Sequence, residues 1–149
     1  MSKYFAVIVL FFLLFSCGDK TGYTTPQISA GDIKRSACRS TPGEEELSYH
    51  VDGGTLYFSH KNLFLPENTA VGIVDLADVS SLDVSRSVFY LDADEETINI
   101  TESFRFAGEK NCYFDFTVIV TNISGGIYDL YIWDYENEQI SVWEDIGID

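Results

Sequence analysis

Few residue types in this chain could support acid–base, nucleophilic or metal chemistry. There are two histidines, His50 and His60, and three cysteines, Cys17, Cys38 and Cys112, against 24 Asp+Glu in 149 residues. A general base needs a partner within hydrogen-bond reach, and a metal needs several donors converging on one point. The stretch from Leu47 to His60 reads as a hairpin turning at Gly53-Gly54, which pairs Val51 with Leu56, Tyr49 with Phe58 and Leu47 with His60. In that register the apolar residues share one face and the histidines point to opposite faces, so they form no dyad and share no metal. His60, on the apolar face, reads as a structural histidine with a satisfied ring. The sequence has no Gly-Lys-Ser/Thr phosphate loop, no His-Glu-x-x-His and no Gly-x-Ser-x-Gly. The expectation is a non-enzyme with no cofactor and no dedicated metal centre.

Two surfaces remain as candidates. Asp92, Asp94, Glu95 and Glu96 fall in one acidic turn, and Asp134, Glu136 and Glu138 alternate further on. Hard cations take about 6–8 oxygens from such loops. Ca²⁺ at Asp92, Asp94, Glu95 and Glu96 is therefore one reading, although the Asp-x-Asp-x-Asp-Gly spacing is missing; plain solvated turns are the other. The second surface is aromatic. With Tyr128, Leu130 and Ile132 facing a core, Asp129, Tyr131 and Trp133 face outward as a binding patch, unless a second sheet or the tail covers them.

The N-terminus has a different character. Lys3 precedes the apolar run Tyr4–Phe15, too short for a membrane span but suited to a signal peptide over residues 1–16. Leu14-Phe15-Ser16-Cys17 resembles a bacterial lipobox, with the bulky Phe15 as its departure. The resemblance implies lipidation of Cys17 and a membrane anchor of more than one acyl chain. Gly18 in place of an Asp favours outer-membrane sorting. Cys38 and Cys112 are then the remaining thiols, open to two readings: a disulfide, or two reduced thiols with Cys112 a small buried hydrophobe.

Removing residues 1–16 takes away only Lys3 among the charges and leaves 8 basic against 24 acidic side chains, a net of -16. From Tyr90 onward 14 acidic residues face Arg105 and Lys110, so most of the acidity lies in the last 60 residues. Such a charge argues against nucleic acid and anionic lipid as partners. Residues 17–37, Gly/Ser/Thr-rich and aperiodic, read as the lipidated Cys and a flexible tether. Beyond them no window holds a helical apolar period. Strands are expected at 47–51, 56–60, 70–76, 87–92, 97–102, 112–121, 127–134 and 139–143, with turn signals every 8–12 residues. The fold class is all-β, an antiparallel Ig-like or fibronectin-like sandwich of about 7–8 strands, over residues 38–149.

Ile123-x-x-Gly126-x-Tyr128 resembles the tyrosine corner of such sandwiches, with Gly125 in place of a proline; a buried aromatic after a glycine turn is the plainer reading. Gly54–Asn62, Glu96–Glu102, Asn111–Phe116 and Ile123–Tyr128, in that order behind a lipobox, are similar to small Bacteroidetes-type lipoproteins with an Ig-like sandwich and no assigned activity. Where that family often has a cysteine after His-x-Asn, this chain has Leu63-Phe64-Leu65-Pro66, and a later Cys-x-Cys is missing. No metal or disulfide is carried over from it. Two functions follow as expectations: a lipid-anchored envelope module binding a glycan or another envelope protein, or an acidic inhibitor or immunity-type lipoprotein that blocks a basic hydrolase or toxin.

Overall fold

The computed structural model describes residues 28–75, 87–104, 110–134 and 136–149. Residues 1–16, expected to be a leader, Cys17 and the first part of the expected tether lie outside them. Nine strands follow in order: β1 Ser29–Arg35, β2 Glu46–Asp52, β3 Thr55–Pro66, β4 Val71–Asp75, β5 Ser87–Ala93, β6 Thr97–Ser103, β7 Asn111–Thr121, β8 Gly126–Asp134 and β9 Gln139–Ile148. They form two sheets, β1-β7-β3-β2 and β4-β5-β6-β8-β9, packed face to face as a β-sandwich.

The longest alternating run builds the central strand. In β7 Cys112, Phe114, Phe116, Val118 and Val120 are all buried, and β7 lies between β1 and β3. Phe89 of β5 meets Phe58 and Phe116 across the interface, with ring centroids 6.4 and 5.9 Å apart. The β2–β3 hairpin has the register expected from its apolar pattern, Val51 opposite Leu56, Tyr49 opposite Phe58 and Leu47 opposite His60. Gly53 and Gly54 both take positive φ, as a turn matched to strand twist requires.

Two strands run further than their alternation predicts, for one reason. In β3 the buried positions are Leu56, Phe58 and His60, then Leu63 and Leu65, so the phase changes from even to odd. A register shift between His60 and Leu63, with Asn62 at φ 66°, absorbs the change and keeps both halves on the core. In β9 the strand continues past Trp143 through Asp145, at φ 56°, to the buried Ile146 and Ile148.

The tether assigned to residues 17–37 is corrected at its end: Ser29–Arg35 is a strand, paired antiparallel with β7. Its composition hid it. Gly31, which reads as a linker residue, sits at a register shift where an added Cβ would lie 2.7 Å from the Ile119 carbonyl oxygen. The close approach of the two backbones needs glycine there. A short polar strand is also what a sheet edge accepts.

The antiparallel expectation holds for most of the pairings and is corrected for two: β4 runs parallel to β5, and β6 parallel to β8. After β6 the chain crosses to the other sheet as β7 and returns beside β6 as β8, which leaves β6 and β8 pointing the same way.

Candidate functional site

The outer face of the second sheet carries the aromatic patch. Tyr128, Leu130 and Ile132 are buried in the core, and Asp129, Tyr131 and Trp133 stand half-buried on the opposite face. The Tyr131 and Trp133 rings lie 5.8 Å apart, within 20° of parallel. Parallel pairing of β6 with β8 sets Asn99 beside Tyr131 and Thr101 beside Trp133. Trp133 Nε1–H donates to Asn99 Oδ1 at 2.9 Å, and Asn99 Nδ2 donates to Thr97 Oγ1 at 3.2 Å. The indole is thus held by a polar ladder on the neighbouring strand. Val142, opposite Tyr131, and the exposed Ile140 extend the strip on β9, which lies beside β8 in the same sheet. Asp129 has a structural task, since its Oδ1 accepts the Asp145 N–H at 3.0 Å and supports the irregularity in β9.

The acidic turns are self-satisfied. Asp94 Oδ1 accepts the backbone N–H groups of Glu96 and Thr97, which hold its carboxyl below the usual range. Asp134 Oδ1 likewise accepts the backbone N–H groups of Glu136 and Glu138. The carboxylates of Asp92, Asp94, Glu95 and Glu96 do not converge on a point. Among the described residues the donors that do converge are Cys38, Glu67 and Cys112, all within 4.8 Å. Their sulfurs are bonded to each other as the Cys38–Cys112 disulfide, with Cα atoms 5.3 Å apart, so neither is a thiolate ligand.

A polar network surrounds that disulfide. Arg39 Nη1 and Nη2 donate to Asp115 Oδ2 and Oδ1 at 2.5 and 2.7 Å, lowering the pKa of the Asp115 carboxyl, which also accepts the Asn62 N–H. Asn62 clasps Gly43 through both its side-chain atoms: Oδ1 accepts the Gly43 N–H at 2.7 Å, and Nδ2 donates to the Gly43 carbonyl at 2.8 Å. The loop 36–45 is thereby fastened to the kink in β3.

Inside the sandwich the same stretch of β3 presents His60. Its Nδ1 lies 2.8 and 3.0 Å from the two carboxylate oxygens of Glu102 on β6, and its Nε2 lies 3.2 Å from Glu45 Oε1. His60 and Glu102 are buried, whereas the Glu45 side chain is 70% exposed. Burial alone would lower the His60 pKa, but hydrogen bonds and charge from Glu102 and Glu45 outweigh it and push the pKa above 6.5. Burial pushes Glu102 up as well, against the pull of His60. His50 lies on the other face, stacked on Tyr57 at 5.1 Å. His60 is buried, and among the described residues its recorded ring partners are the carboxylates of Glu102 and Glu45.

Sequence reasoning placed Tyr131 and Trp133 but did not single out Asn99, Asn62, Glu45 or Glu102. A signal for Glu102 existed: it shares strand phase with Ile98, Ile100 and Phe104, so its carboxylate had to enter the core and find a donor. Tyr128 does make a tyrosine corner, its hydroxyl donating to the Ser124 carbonyl at 2.9 Å. No family model matches this sequence, no curated protein matches it, and no solved structure matches its fold.

Proposed function

We propose that this chain is a lipid-anchored envelope lipoprotein whose sandwich is a non-catalytic module binding an uncharged glycan on the outer face of β6, β8 and β9. The observation that carries the reading is the fixed pair Tyr131–Trp133, with the indole N–H already committed to Asn99. A pre-oriented aromatic loses little side-chain freedom on binding, which favours affinity. Thr97 and Asn99, half-buried on β6, place a hydroxyl and an amide alongside. Carboxylates lie beyond both ends of the strip, at Asp94–Glu96 and at Asp134–Glu138, so a polyanion would be repelled and a neutral polymer admitted.

The topology supports display away from a membrane. With Cys17 as anchor, the ten residues 18–27 separate lipid from the first described residue, a reach of at most about 35 Å. Ser29 pairs with Thr121, so the chain enters the sandwich beside the turn that leads into β8. Trp133 lies seven residues along β8 from Gly126, about 23 Å toward the far end.

The test is titration of the purified full-length protein with a panel of uncharged polysaccharides, read by tryptophan fluorescence and calorimetry. Binding is expected to be insensitive to salt, and Trp133→Ala or Tyr131→Ala should weaken it about tenfold or more, a loss of about 1.4 kcal/mol. Capture of a basic hydrolase with steeply salt-dependent affinity would replace this reading with the inhibitor one. Incorporation of labelled palmitate that survives Cys17→Ser would remove the proposed anchor site.

A further inference from the structure

The His60 cluster does more than fill the core. Both ring nitrogens face carboxylate oxygens, Nδ1 toward Glu102 on β6 and Nε2 toward Glu45 in the loop before β2. Only the imidazolium has two N–H donors; a neutral ring has one donor and one lone pair. Among the described residues the other charged groups nearby do not supply a substitute. Lys61 is engaged by Glu46, Arg39 by Asp115, and Asp134 on β8 adds negative charge near Glu102. His60 is thus the cation for two anions that differ in their options: Glu102 is enclosed, and Glu45 reaches water.

We propose that His60 is a pH-operated latch for the loop that carries Glu45. Protonated, the ring donates to both carboxylates and pins the loop against the sandwich. When it releases a proton to water, the remaining N–H stays on Nδ1, because leaving Glu102 as an unpaired buried anion costs most. Nε2 then turns a lone pair on the Glu45 carboxylate, and Glu45 swings into solvent. Gly43 remains clasped by Asn62, so release is confined to residues 44–46 at the start of β2. This places a reversible element at the end of the sandwich away from the Gly53-Gly54 turn, without unfolding the core.

The experiment is a titration of the full-length protein followed by ring nitrogen chemical shifts of His60 and by amide exchange at residues 44–46, corrected for intrinsic rates. His60 should hold its proton above the ordinary 6.5, and its deprotonation should leave an Nδ1–H tautomer. Exchange at 44–46 should quicken about two- to fivefold over the same range, the size expected of one mostly exposed pair. Glu45→Gln keeps the fold safe and is the decisive variant. An amide can accept from Nε2–H, or after a half-turn donate to its lone pair, so exchange in E45Q should lose its pH step. A His60 ring that stays neutral from about pH 5 upward, a loop that ignores the titration, or an E45Q protein that keeps the step would each overturn the latch.

Discussion

His60 and Glu102 sit where an all-apolar layer would otherwise run, and their consequence for stability has a definite sign. Both hold protons more tightly in the folded chain than unfolded, Glu102 because it is buried and His60 because of the two carboxylates beside it. A group whose pKa is raised on folding contributes stability that is fully present below its unfolded value and is lost as pH rises through the folded one. For Glu102 that decline starts near 4.5 and for His60 near 6.5. Asp94 and Asp115 act oppositely; their contribution is present above 3.8 and is lost as pH falls through their lowered values. Urea midpoints should therefore fall as pH rises past 6.5, and His60→Gln should flatten that limb. H60Q should also cost about 3–5 kcal/mol at a pH where Glu102 is ionised, because the carboxylate is then left buried without its cation, and less at acid pH, where Glu102 takes up a proton. A midpoint that rises through the same range would reverse the assignment. The partnership was only half legible in the sequence. Strand phase puts each residue on a core face, but which two meet is decided by how the sheets are superposed.

At the scale of the strand, the decisive residues are those that break the pattern. Alternation reads β7, and the β2–β3 hairpin as far as His60, correctly because each keeps one phase over that stretch. It stops at His60 and at Trp143, where one extra residue changes which parity faces inward. Asn62 and Asp145 absorb those changes in left-handed backbone, which asparagine and aspartate tolerate better than most residues. Asn62 does more, since its side chain also makes both bonds to Gly43. Asn62→Ala should cost about 2 kcal/mol, from the strained φ and the lost loop bonds together. Asn62→Gly keeps the backbone and loses only the bonds, so it should recover part of that loss. Chemical denaturation of the two variants separates the contributions; equal losses would mean that the positive φ carries no cost. β1 was illegible for a related reason: its one informative residue, Gly31, has its meaning only beside Ile119.

For the whole molecule the least legible property was how the sheets are threaded. Local pattern yields strands and one hairpin, whereas the parallel pairs β4–β5 and β6–β8 arise from crossings between sheets that no short window contains. The N-terminal segment is fastened to this framework by unequal ties: β1 on β7, the Arg39–Asp115 pair, and the disulfide between Cys38 and Cys112, 74 residues apart. Closing a loop of that length confines the unfolded chain and is worth about 4 kcal/mol in the chain-entropy model. Global stability should fall by about that amount in a Cys38→Ser, Cys112→Ser double variant. The native fold should nonetheless persist, because β1 keeps its pairing with β7 and Arg39 keeps its bidentate hold on Asp115. Native-state amide exchange distinguishes where the loss falls. If the disulfide acts on the unfolded ensemble, β3, β7 and β8 lose protection together, in step with the global change. Faster exchange confined to β1, with β7 unchanged, would instead make the disulfide a local tie holding an otherwise weakly attached edge strand.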